Sequence, residues 1–394
     1  MPENATENAN SKRLSVLYLN HSGQISGAEQ SLRALLREFR RSGAEVEPLI
    51  GLPGSGPFAD LLRDEEFAVT FAPLRRIARP QNPVAGLSAL FYITRTAPFI
   101  AKLAQQTKAQ LIHSNSTTAH LVAGMAASKC KLPALWHVRD LVSLKGVAQR
   151  AADHAAWVIA ISGAVAQNLQ NDGVPPEKVR IIHNGLDTDE WRPRDRSQLR
   201  ESLNFPDGTF VFACVTQLVP WKNHVAFIEA AAKLAADEGC ANARFIIMGG
   251  DLWSEQENYV KELRELVKKH NLQERFNFIP HQTNNIDALS AIDAIVLPSL
   301  EEPFGRVLIE GMALEKTVIA FNAYGPQEIV THEHDGLLAD PKDEGSLAQM
   351  MRRALQDAEL RAHLQRHARQ TVTQKFHIAD TAQRVLEIYR EVLS

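Results

Sequence analysis

The sequence predicts an α/β protein made of two domains, each built on a parallel sheet. Short apolar or β-branched runs alternate with helix-length amphipathic stretches along almost the whole chain, which is typical of βα units. The 394 residues are enough for two or three domains with ordinary hydrophobic cores. The hydrophobic fraction of 45% and the charged fraction of 23% resemble those of soluble globular proteins, and they exclude collagen, disordered chains and bundles of spanning helices.

The first domain begins after a polar, Asn-rich tail at 1–12, which we expect to be disordered. Its first strand, LSVLYLN, is followed by a glycine-containing loop and the helical pattern SLRALLREF. Six further apolar runs alternate with helical patterns up to residue 187. The seven strands are predicted at about 14–20, 45–50, 68–72, 110–113, 133–138, 156–161 and 179–183.

The second domain is predicted at 201–376, after a polar, proline-containing linker at 188–200. A terminal amphipathic helix at 377–394, with apolar residues at helical spacing, is expected to pack back towards the first domain at 13–187. Two parallel sheets of similar size would place a ligand cleft between their carboxyl ends. The six strands are predicted at about 209–217, 244–249, 276–280, 294–298, 317–321 and 336–339.

Charge and cysteine content narrow the class of protein. A net charge of −3 gives no indication of a nucleic-acid partner, which would favour a strongly basic chain. The three cysteines are far apart and form no CxxC pair, so we expect neither disulfides nor a zinc knuckle, and a reduced cytoplasmic location fits best. The N-terminus has no apolar signal-peptide core, and no run of 18 uninterrupted apolar residues occurs, so any membrane contact is expected to be peripheral.

One segment of the first domain is strongly basic. Between Phe67 and Arg139 there is no Asp or Glu, and nine Lys or Arg residues give a charge of +9. Within it, the apolar stretch 87–104 contains Arg95 and Lys102, and Pro98 argues against a single unbroken helix. The whole segment 75–139 is a candidate for peripheral contact with the inner face of an anionic membrane. An ordinary half-buried helix with solvated cations is the alternative.

The segment SLEEPFGRVLIEGMAL at 299–314 is the strongest candidate for a functional site. It directly follows the apolar strand AIVLP, and Pro303 to Gly305 predict a tight loop with a helix starting near Arg306. A helix start presents N–H groups and a positive dipole, which suits a phosphate. Glu302 on the loop and Glu310 on the helix are expected to face one ligand. Taken alone, the pair could also be a helix-start carboxylate and a solvated helix charge.

This segment resembles the E-x7-E signature of the retaining glycosyltransferases of family 4, with Glu302 and Glu310 at the two glutamate positions. The resemblance extends over nearly the entire chain, through SGAV at 162–165, VPPEKVRIIHNGLD at 174–187, TQLVPWK at 216–222, GPQEIV at 325–330 and Asp335-Gly336. It implies a GT-B fold, with two Rossmann-like domains facing a cleft and the nucleotide-sugar held mainly by the second domain.

The resemblance also assigns roles in donor binding, and this chain departs from the family at two of the positions. The family's Arg–Lys pair on the turn after the first strand of the second domain is Gln217 and Lys222 here, and the glycine that follows the Lys is Asn223. Arg306 and Arg139 are candidate substitutes for the missing cation. The donor-binding residues implied are Gly27, Gln217, Lys222, Ile279, Phe304, Gly305, Arg306 and Glu310.

In the first domain, the resemblance implies that His137, at a strand end, lies close to the sugar and its acceptor. The loop before the first helix resembles the family's Gly-Gly-Ala-Glu/Gln loop, with Gly27 approaching the donor, and its glycines would permit a positive φ. Glu29 is either an acceptor-side group or a first-turn carboxylate. Weaker acceptor-side candidates are His113, Asn115 and Arg139.

The implied reaction transfers a sugar from a UDP- or GDP-type donor to an acceptor hydroxyl, with retention and without a metal or other cofactor. His137, Glu302 and Lys222 are its catalytic candidates, and no metal ligands are expected. The acceptor would be a saccharide or lipid-linked saccharide in polysaccharide or glycolipid biosynthesis. Two alternatives stay open: a non-catalytic nucleotide-sugar binder, favoured by Gln217, and a sugar-nucleotide 2-epimerase.

Overall fold

The computed structural model describes residues 13–77, 82–141, 143–144, 146–195, 197–203, 205–250, 256–280 and 285–394. The predicted tail at 1–12 and Arg79 of the basic segment lie outside these residues. The chain folds as two compact units. Unit 1 comprises Met1–Ile161, Val165–Gly185 and Ile378–Ser394, and unit 2 comprises Ser162–Ala164 and Leu186–His377.

Unit 1 is built on a seven-stranded parallel sheet in the order β3-β2-β1-β4-β5-β6-β7. Its strands are β1 Leu14–Leu19, β2 Val46–Leu52, β3 Ala68–Phe71, β4 Leu111–Ser114, β5 Ala134–Val138, β6 Trp157–Ala160 and β7 Val179–Ile181. The helices are α1 Gly27–Arg41, α2 Pro57–Asp64, α3 Pro83–Gln106, α4 Thr117–Cys130, α5 Ala148–Asp153, α6 Gly163–Asn171 and α15 Ile378–Leu393. The first two residues of α6, Gly163 and Ala164, are grouped with unit 2.

Alternating side chains of β1 build two cores, one on each face of this sheet, because successive strand residues point to opposite faces. Val16 and Tyr18 pack with residues of α1, α2 and α15. Leu17 and Leu19 pack with residues of α3 and α4 on the other face. The carboxyl-terminal helix α15 therefore belongs to the core of unit 1.

Helix α3 runs unbroken through Pro98, contrary to the prediction from the sequence. Proline removes one backbone hydrogen bond, but burial of Ala97, Ile100 and Ala104 against α4 offsets that loss. The amino-terminal half of α3 is mostly exposed. Among the described residues, Val84–Gln106 is the one helix long and apolar enough, by length and composition, to cross a membrane.

Unit 2 is built on a six-stranded parallel sheet in the order β10-β9-β8-β11-β12-β13. Its strands are β8 Phe210–Val215, β9 Ala243–Met248, β10 Phe276–Ile279, β11 Ala294–Leu297, β12 Thr317–Phe321 and β13 Leu337–Ala339. The helices are α7 Ser197–Ser202, α8 His224–Ala235, α9 Glu257–Lys269, α10 Asn285–Ser290, α11 Arg306–Ala313, α12 Pro326–Ile329, α13 Ser346–Gln356 and α14 Ala358–Lys375.

All thirteen predicted strands are present, with ends within about two residues of the prediction. The predicted linker at 188–200 lies in the stretch from Leu186 to His377 that is grouped with unit 2. Arg194 pairs with Asp287 at 3.2 Å, and Arg200 pairs with Asp293. Both pairs connect this polar stretch to unit 2.

Candidate functional site

Each sheet has a topological switch point, where neighbouring strands connect in opposite directions. In unit 2 the point lies between β8 and β11, and in unit 1 between β1 and β4. Ligands of open α/β sheets bind beyond the carboxyl ends of the strands at such points. The residues predicted to bind donor and acceptor follow these strands or their neighbours.

A buried ion pair lies at the switch point of unit 2. Lys222 ends the turn after β8, Glu302 follows β11, and Lys222 Nζ donates to Glu302 Oε2 at 2.6 Å. The side chains are only 13% and 8% exposed, so water screens the pair weakly. The ammonium also lies 4.0 Å from the ring centroid of Trp221. Two residues that are 80 positions apart in sequence thus form one charged unit.

The loop from Glu302 to Gly305 is a fixed turn at the start of α11. Gly305 has a φ of +98°, a left-handed conformation that favours glycine. Because Gly305 has no side chain, it cannot cap the backbone N–H groups in the first turn of α11. A helix start of this kind is suited to binding an anion. Gly325 N donates to Glu302 O at 3.0 Å, and a Cβ on Gly325 would clash with the backbone of Phe304. The turn therefore requires glycine at both positions.

The side chain of Phe304, a predicted donor-binding residue, is 2% exposed. The ring packs edge-on against Phe376 with centroids 5.9 Å apart. Its ring thus belongs to the core of unit 2, and only the backbone of Phe304 belongs to the turn. The apolar side chain of this motif position anchors the loop to the end of α14.

A second buried ion pair occupies the first turn of α11. Arg306 Nε donates to Glu310 Oε1 at 2.8 Å, and the two side chains are 13% and 8% exposed. Burial raises the pKa of Glu310, while Arg306 lowers it through charge and a hydrogen bond. Arg306, a proposed substitute for the missing family cation, is thus engaged by the carboxylate predicted to bind the ribose.

The turn after β8 shows how the departures from the family pattern are accommodated. Asn223 has a φ of 55°, so the position needs a left-handed residue, and asparagine is among the best non-glycine choices. Gln217 is half-buried, and its backbone carbonyl accepts from Val219 N at 3.0 Å.

Ile279, another predicted donor-binding residue, is half-buried at the end of β10. Its backbone carbonyl accepts from Gly249 N at 3.0 Å.

Two of the quoted motifs meet in unit 2. Glu328, from GPQEIV, accepts the backbone N–H groups of Gly163 and Ala164, each at 2.8 Å. Ser162 Oγ donates to the carbonyl of Pro303 at 2.6 Å. A carboxylate that accepts two adjacent N–H groups is a strong charge-assisted contact. The segment 162–164 is thereby held beside the turn that carries Glu302.

In unit 1, Arg139 and Glu29 are connected by two buried amides. Arg139 Nε donates to Asn115 Oδ1 at 2.7 Å, and Asn115 Nδ2 donates to Asn20 Oδ1 at 3.0 Å. Asn20 Nδ2 then donates to Glu29 Oε1 at 3.0 Å. Glu29 also completes the capping box of α1. Three predicted acceptor-side residues thus form one buried network, and Glu29 takes the first-turn role.

His137 lies at one end of a chain of hydrogen bonds between histidine and tyrosine side chains. Its Nδ1 lies 3.1 Å from His113 Nε2, His113 Nδ1 lies 2.6 Å from Tyr389 Oη, and that hydroxyl lies 2.7 Å from Tyr18 Oη. Arg139 Nη2, which can only donate, also lies 3.4 Å from His137 Nδ1. His137 Nδ1 must therefore accept, so the proton of the neutral ring lies on Nε2.

Within the described residues, His137 Nε2 is a buried atom with no hydrogen-bond partner. Burial lowers the pKa of His137 well below its usual value, and the charges of Arg139 and His113 lower it further. Burial lowers the pKa of His113 to about 3. His137 thus presents an uncharged N–H donor and is not set up as a base.

Gly27 is the first residue of α1, capped by Ser26, and its φ is helical rather than positive. Neither Gly23 nor Gly27 uses the positive φ that glycine permits. A Cβ on Gly27 would meet nothing within 4 Å. Open space beside a helix start still allows a ligand to approach closely.

Several residues of these networks escaped prediction. Tyr389 lies 276 residues from its partner His113, and Asn184 accepts from Arg139 Nη1 at 2.7 Å. His224, at the start of α8, lies 2.8 Å from Thr216 Oγ1 and is fully buried. The sequence did offer a signal for His224, because it lies only two residues after Lys222. Asn184 and Tyr389 carried none.

Comparison with known proteins identifies the family. Residues 25–190 match the family model described as Glycosyltransferase Family 4, and residues 195–371 match the one described as Glycosyl transferases group 1. The chain is 24% identical, over 86% of its length and 87% of the relative, to UDP-Gal:alpha-D-GlcNAc-diphosphoundecaprenol alpha-1,3-galactosyltransferase of Escherichia coli. It is 26% identical to D-inositol 3-phosphate glycosyltransferase of Saccharomonospora viridis, over 82% of this chain and 78% of the relative.

Among solved structures, the chain resembles Anabaena Alr3699/HepE, crystallised in complex with UDP and glucose. The TM-score is 0.81 and the identity 26%, over 96% of this chain and 99% of that one. Two parallel-sheet, Rossmann-like units and these structural neighbours define a GT-B fold. Since the two family models together match most of the chain, the protein belongs to glycosyltransferase family 4.

Proposed function

We propose that this glycosyltransferase moves a sugar from a nucleoside diphosphate sugar to an acceptor hydroxyl, with retention at the anomeric carbon and without a metal ion. UDP is the preferred nucleotide in this proposal. The Escherichia coli relative is named for UDP-Gal, and Alr3699/HepE was crystallised with UDP and with UDP-glucose. The proposed acceptor is a saccharide or lipid-linked saccharide in polysaccharide or glycolipid biosynthesis.

The observation that carries the proposal is the Lys222–Glu302 pair beside the turn that starts α11. A diphosphate carries charge that grows as it leaves, and a weakly screened cation next to a helix start stabilises that charge. One hydrogen bond to Glu302 leaves two further N–H donors on the ammonium. Glu302 is thereby oriented, and we assign its carboxylate to sugar hydroxyls, with Glu310 assigned to the ribose.

In the proposed step, the bond between the anomeric carbon and the diphosphate oxygen breaks, and a bond to the acceptor oxygen forms on the same face. The acceptor proton goes to the departing phosphate oxygen. Neither glutamate acts as the acid or base of a hydrolase. His137 contributes its Nε2–H as a donor to a sugar hydroxyl oxygen, which fits its unpartnered, uncharged state.

Gln217 favours a second candidate, a protein that binds a nucleotide-sugar without transferring the sugar. An amide in place of the family's Arg supplies less stabilisation to the leaving diphosphate. The two candidates differ in product: transfer releases nucleotide when the acceptor is added, whereas a binder releases none. A 2-epimerase would instead accumulate free epimerised nucleotide-sugar.

Nucleotide binding is the first test. With UDP at a hundred times its dissociation constant, we expect a stabilisation of about 2.7 kcal/mol. For a unit of this size that equals a rise in Tm of roughly 5–10 °C in a thermal unfolding scan. GDP, ADP and CMP at the same concentration should give smaller shifts. EDTA should change neither the shift nor turnover if the reaction is metal-independent.

The variant Glu310→Gln tests the proposed ribose contact, and its amide oxygen can still accept from Arg306. We expect it to reduce the UDP shift while inorganic diphosphate still binds. Equal shifts with all four nucleotides would contradict the assigned donor. Product analysis by NMR then decides between retention and inversion at the anomeric carbon.

We further propose that the exposed face of α3 lies on an anionic membrane surface. Large apolar side chains protrude along its amino-terminal half: Val84 is 75% exposed, Leu87 68%, Leu90 53% and Phe91 62%. Phe71 and Phe99, both exposed, make an edge-to-face contact with ring centroids 6.2 Å apart. An exposed apolar patch of this kind is typical of an interaction site.

Charge supports a bilayer as the occupant of this face. Arg75 lies over the Tyr92 ring at 4.5 Å and Arg95 over the Phe91 ring at 5.2 Å, so cations flank the apolar residues. The region contains no acidic residue. Each cation near an anionic leaflet contributes about 1 kcal/mol. The length and composition of α3 are compatible with deeper insertion, but burial of its carboxyl half against α4 favours surface contact.

Vesicle sedimentation tests this proposal. The chain is expected to bind vesicles containing phosphatidylglycerol and to bind pure phosphatidylcholine weakly, with the difference falling at high salt. Phe91→Glu should reduce binding about tenfold, because it buries a charge in the interface. Leu393→Glu alters another exposed apolar residue, 37% exposed, and should leave binding unchanged. Equal loss in both variants would contradict the assignment to α3.

A further inference from the structure

Three histidines cluster in unit 2, and none of them belongs to the proposed donor site. His363 and His367 are one turn apart on α14, and His334 lies between α12 and β13. Their ring centroids are 4.1 Å apart for His363 and His367, and 4.5 Å apart for His334 and His367. One candidate ligand nitrogen from each residue lies within 4.8 Å of the others.

The ring of His367 is oriented as a metal ligand. Its Nδ1 lies 2.8 Å from the carbonyl oxygen of His363. Because a carbonyl only accepts, Nδ1 carries the proton, and the neutral ring keeps its lone pair on Nε2. A backbone carbonyl on the distal nitrogen is the arrangement that usually fixes the tautomer of metal-binding histidines.

The segment that carries His334 is fixed to the same helix. Asp335, which is 1% exposed, accepts from Thr331 N at 2.7 Å and from Thr371 Oγ1 at 2.8 Å. Thr371 lies one turn beyond His367 on α14. The loop that carries His334 is therefore attached to α14 by a buried contact of Asp335, and this contact needs no ligand.

The cluster is accessible to solvent. His334 is exposed, and His363 and His367 are half-buried, so an ion could reach the cluster from solvent. Accessible imidazole nitrogens are ligands for borderline transition metals, while magnesium and calcium prefer oxygen.

We propose that His334, His363 and His367 bind one divalent transition-metal ion, with Zn²⁺ as the principal candidate and water at the fourth position. Zinc bonds to nitrogen of about 2.0–2.1 Å place tetrahedral ligands roughly 3.4 Å apart, so the rings must close by about 1 Å. Side chains at the surface can make this adjustment by small rotations. The ion would tie α14 to the segment before β13. The site is independent of the proposed sugar transfer.

Metal titration of the full chain, without an affinity tag, tests the site. After EDTA treatment and its removal, Zn²⁺ is titrated against a chromophoric chelator, and Co²⁺ is used to record the visible absorption of a tetrahedral site. We expect one equivalent to bind, with a rise in Tm. Mg²⁺ should produce neither effect. His363→Gln and His367→Gln should each weaken Zn²⁺ binding by about tenfold or more.

His332→Gln is the matched control, because His332 is exposed on the same loop and lies outside the cluster. It should bind Zn²⁺ as the unaltered chain does. The UDP-dependent shift in Tm of each variant shows whether unit 2 is still folded. Unchanged Zn²⁺ affinity in the double variant H363Q/H367Q would overturn the proposal, and so would equal loss in His332→Gln.

Discussion

Replacing Lys222 with methionine is expected to lower kcat/KM by roughly 10²–10³-fold, the usual effect of losing one group that stabilises developing charge. The same change should destabilise unit 2 by about 3–5 kcal/mol, because Glu302 remains buried without its cation. Steady-state kinetics and urea unfolding measure the two effects separately. The variant therefore combines a catalytic and a structural loss.

The double variant K222M/E302Q separates the two losses. It replaces the charged pair by two neutral side chains of similar size, and stability should return to within about 1 kcal/mol of the unaltered chain. Turnover should stay as low as in Lys222→Met. Lys222→Arg keeps the positive charge but changes the size of the side chain, so it serves as the control for effects of size. Recovery of turnover together with stability would show that the pair is structural and would remove Lys222 from the proposed mechanism.

The fold was predictable because the pattern of strands is local. A run such as LSVLYLN predicts its own strand, since burial on both faces of a parallel sheet requires continuous apolar residues. The polar stretch 188–200 was harder, because its pairs with Asp287 and Asp293 each join an arginine to a residue 93 positions away. Composition predicts a linker there and carries no information on these distant partners.

The candidate site was predicted in part for the same reason. The helix start at Arg306 and the loop before it follow from adjacent residues. The pairing of Lys222 with Glu302 depends on which strand ends meet. Phe304 shows the limit of a motif: the residue type is specified, but the structure directs its ring into the core. The assigned catalytic roles of these residues stay predictions.

The polar residues of unit 1 show a different limit. Glu29, Asn115 and Arg139 were treated as separate candidates for contact with an acceptor. The structure joins them through Asn20 into one chain of donors and acceptors. A buried cation needs such partners, but no sequence spacing indicates which amides supply them. The three-histidine cluster is similar, because the spacing of the two histidines on α14 is visible in the sequence and the third is not linked to it.

Several buried histidines should make the folded chain sensitive to acid. Burial is the main cause that lowers the pKa of His113 to about 3, and those of His120 and His224 to about 4. The pKa of His137 is lowered as well. Charges facing His113 come from Arg139 and His120, and its other neighbours, Tyr389 and Tyr18, have raised pKa values.

Stability should be independent of these groups above about pH 6.5, where histidine is neutral in both states. Below that pH the unfolded chain binds protons that the folded chain does not, so each histidine lowers the unfolding free energy by about 1.4 kcal/mol per pH unit until its folded pKa is reached. Three of the four lie in unit 1 and only His224 lies in unit 2. In unit 2 the raised pKa of Glu310 acts in the opposite direction at lower pH.

Urea unfolding between pH 7.5 and pH 5 (about 0.5 pH unit per step) measures these slopes, with each transition fitted separately since two units need not unfold together. The transition of unit 1 should weaken more steeply with acid than that of unit 2. His113→Gln should reduce the slope for unit 1 by about one proton, whatever it does to stability at pH 7.5. A slope for unit 1 that is unaffected by His113→Gln would mean that this ring already carries a proton in the folded state, which would contradict its lowered pKa.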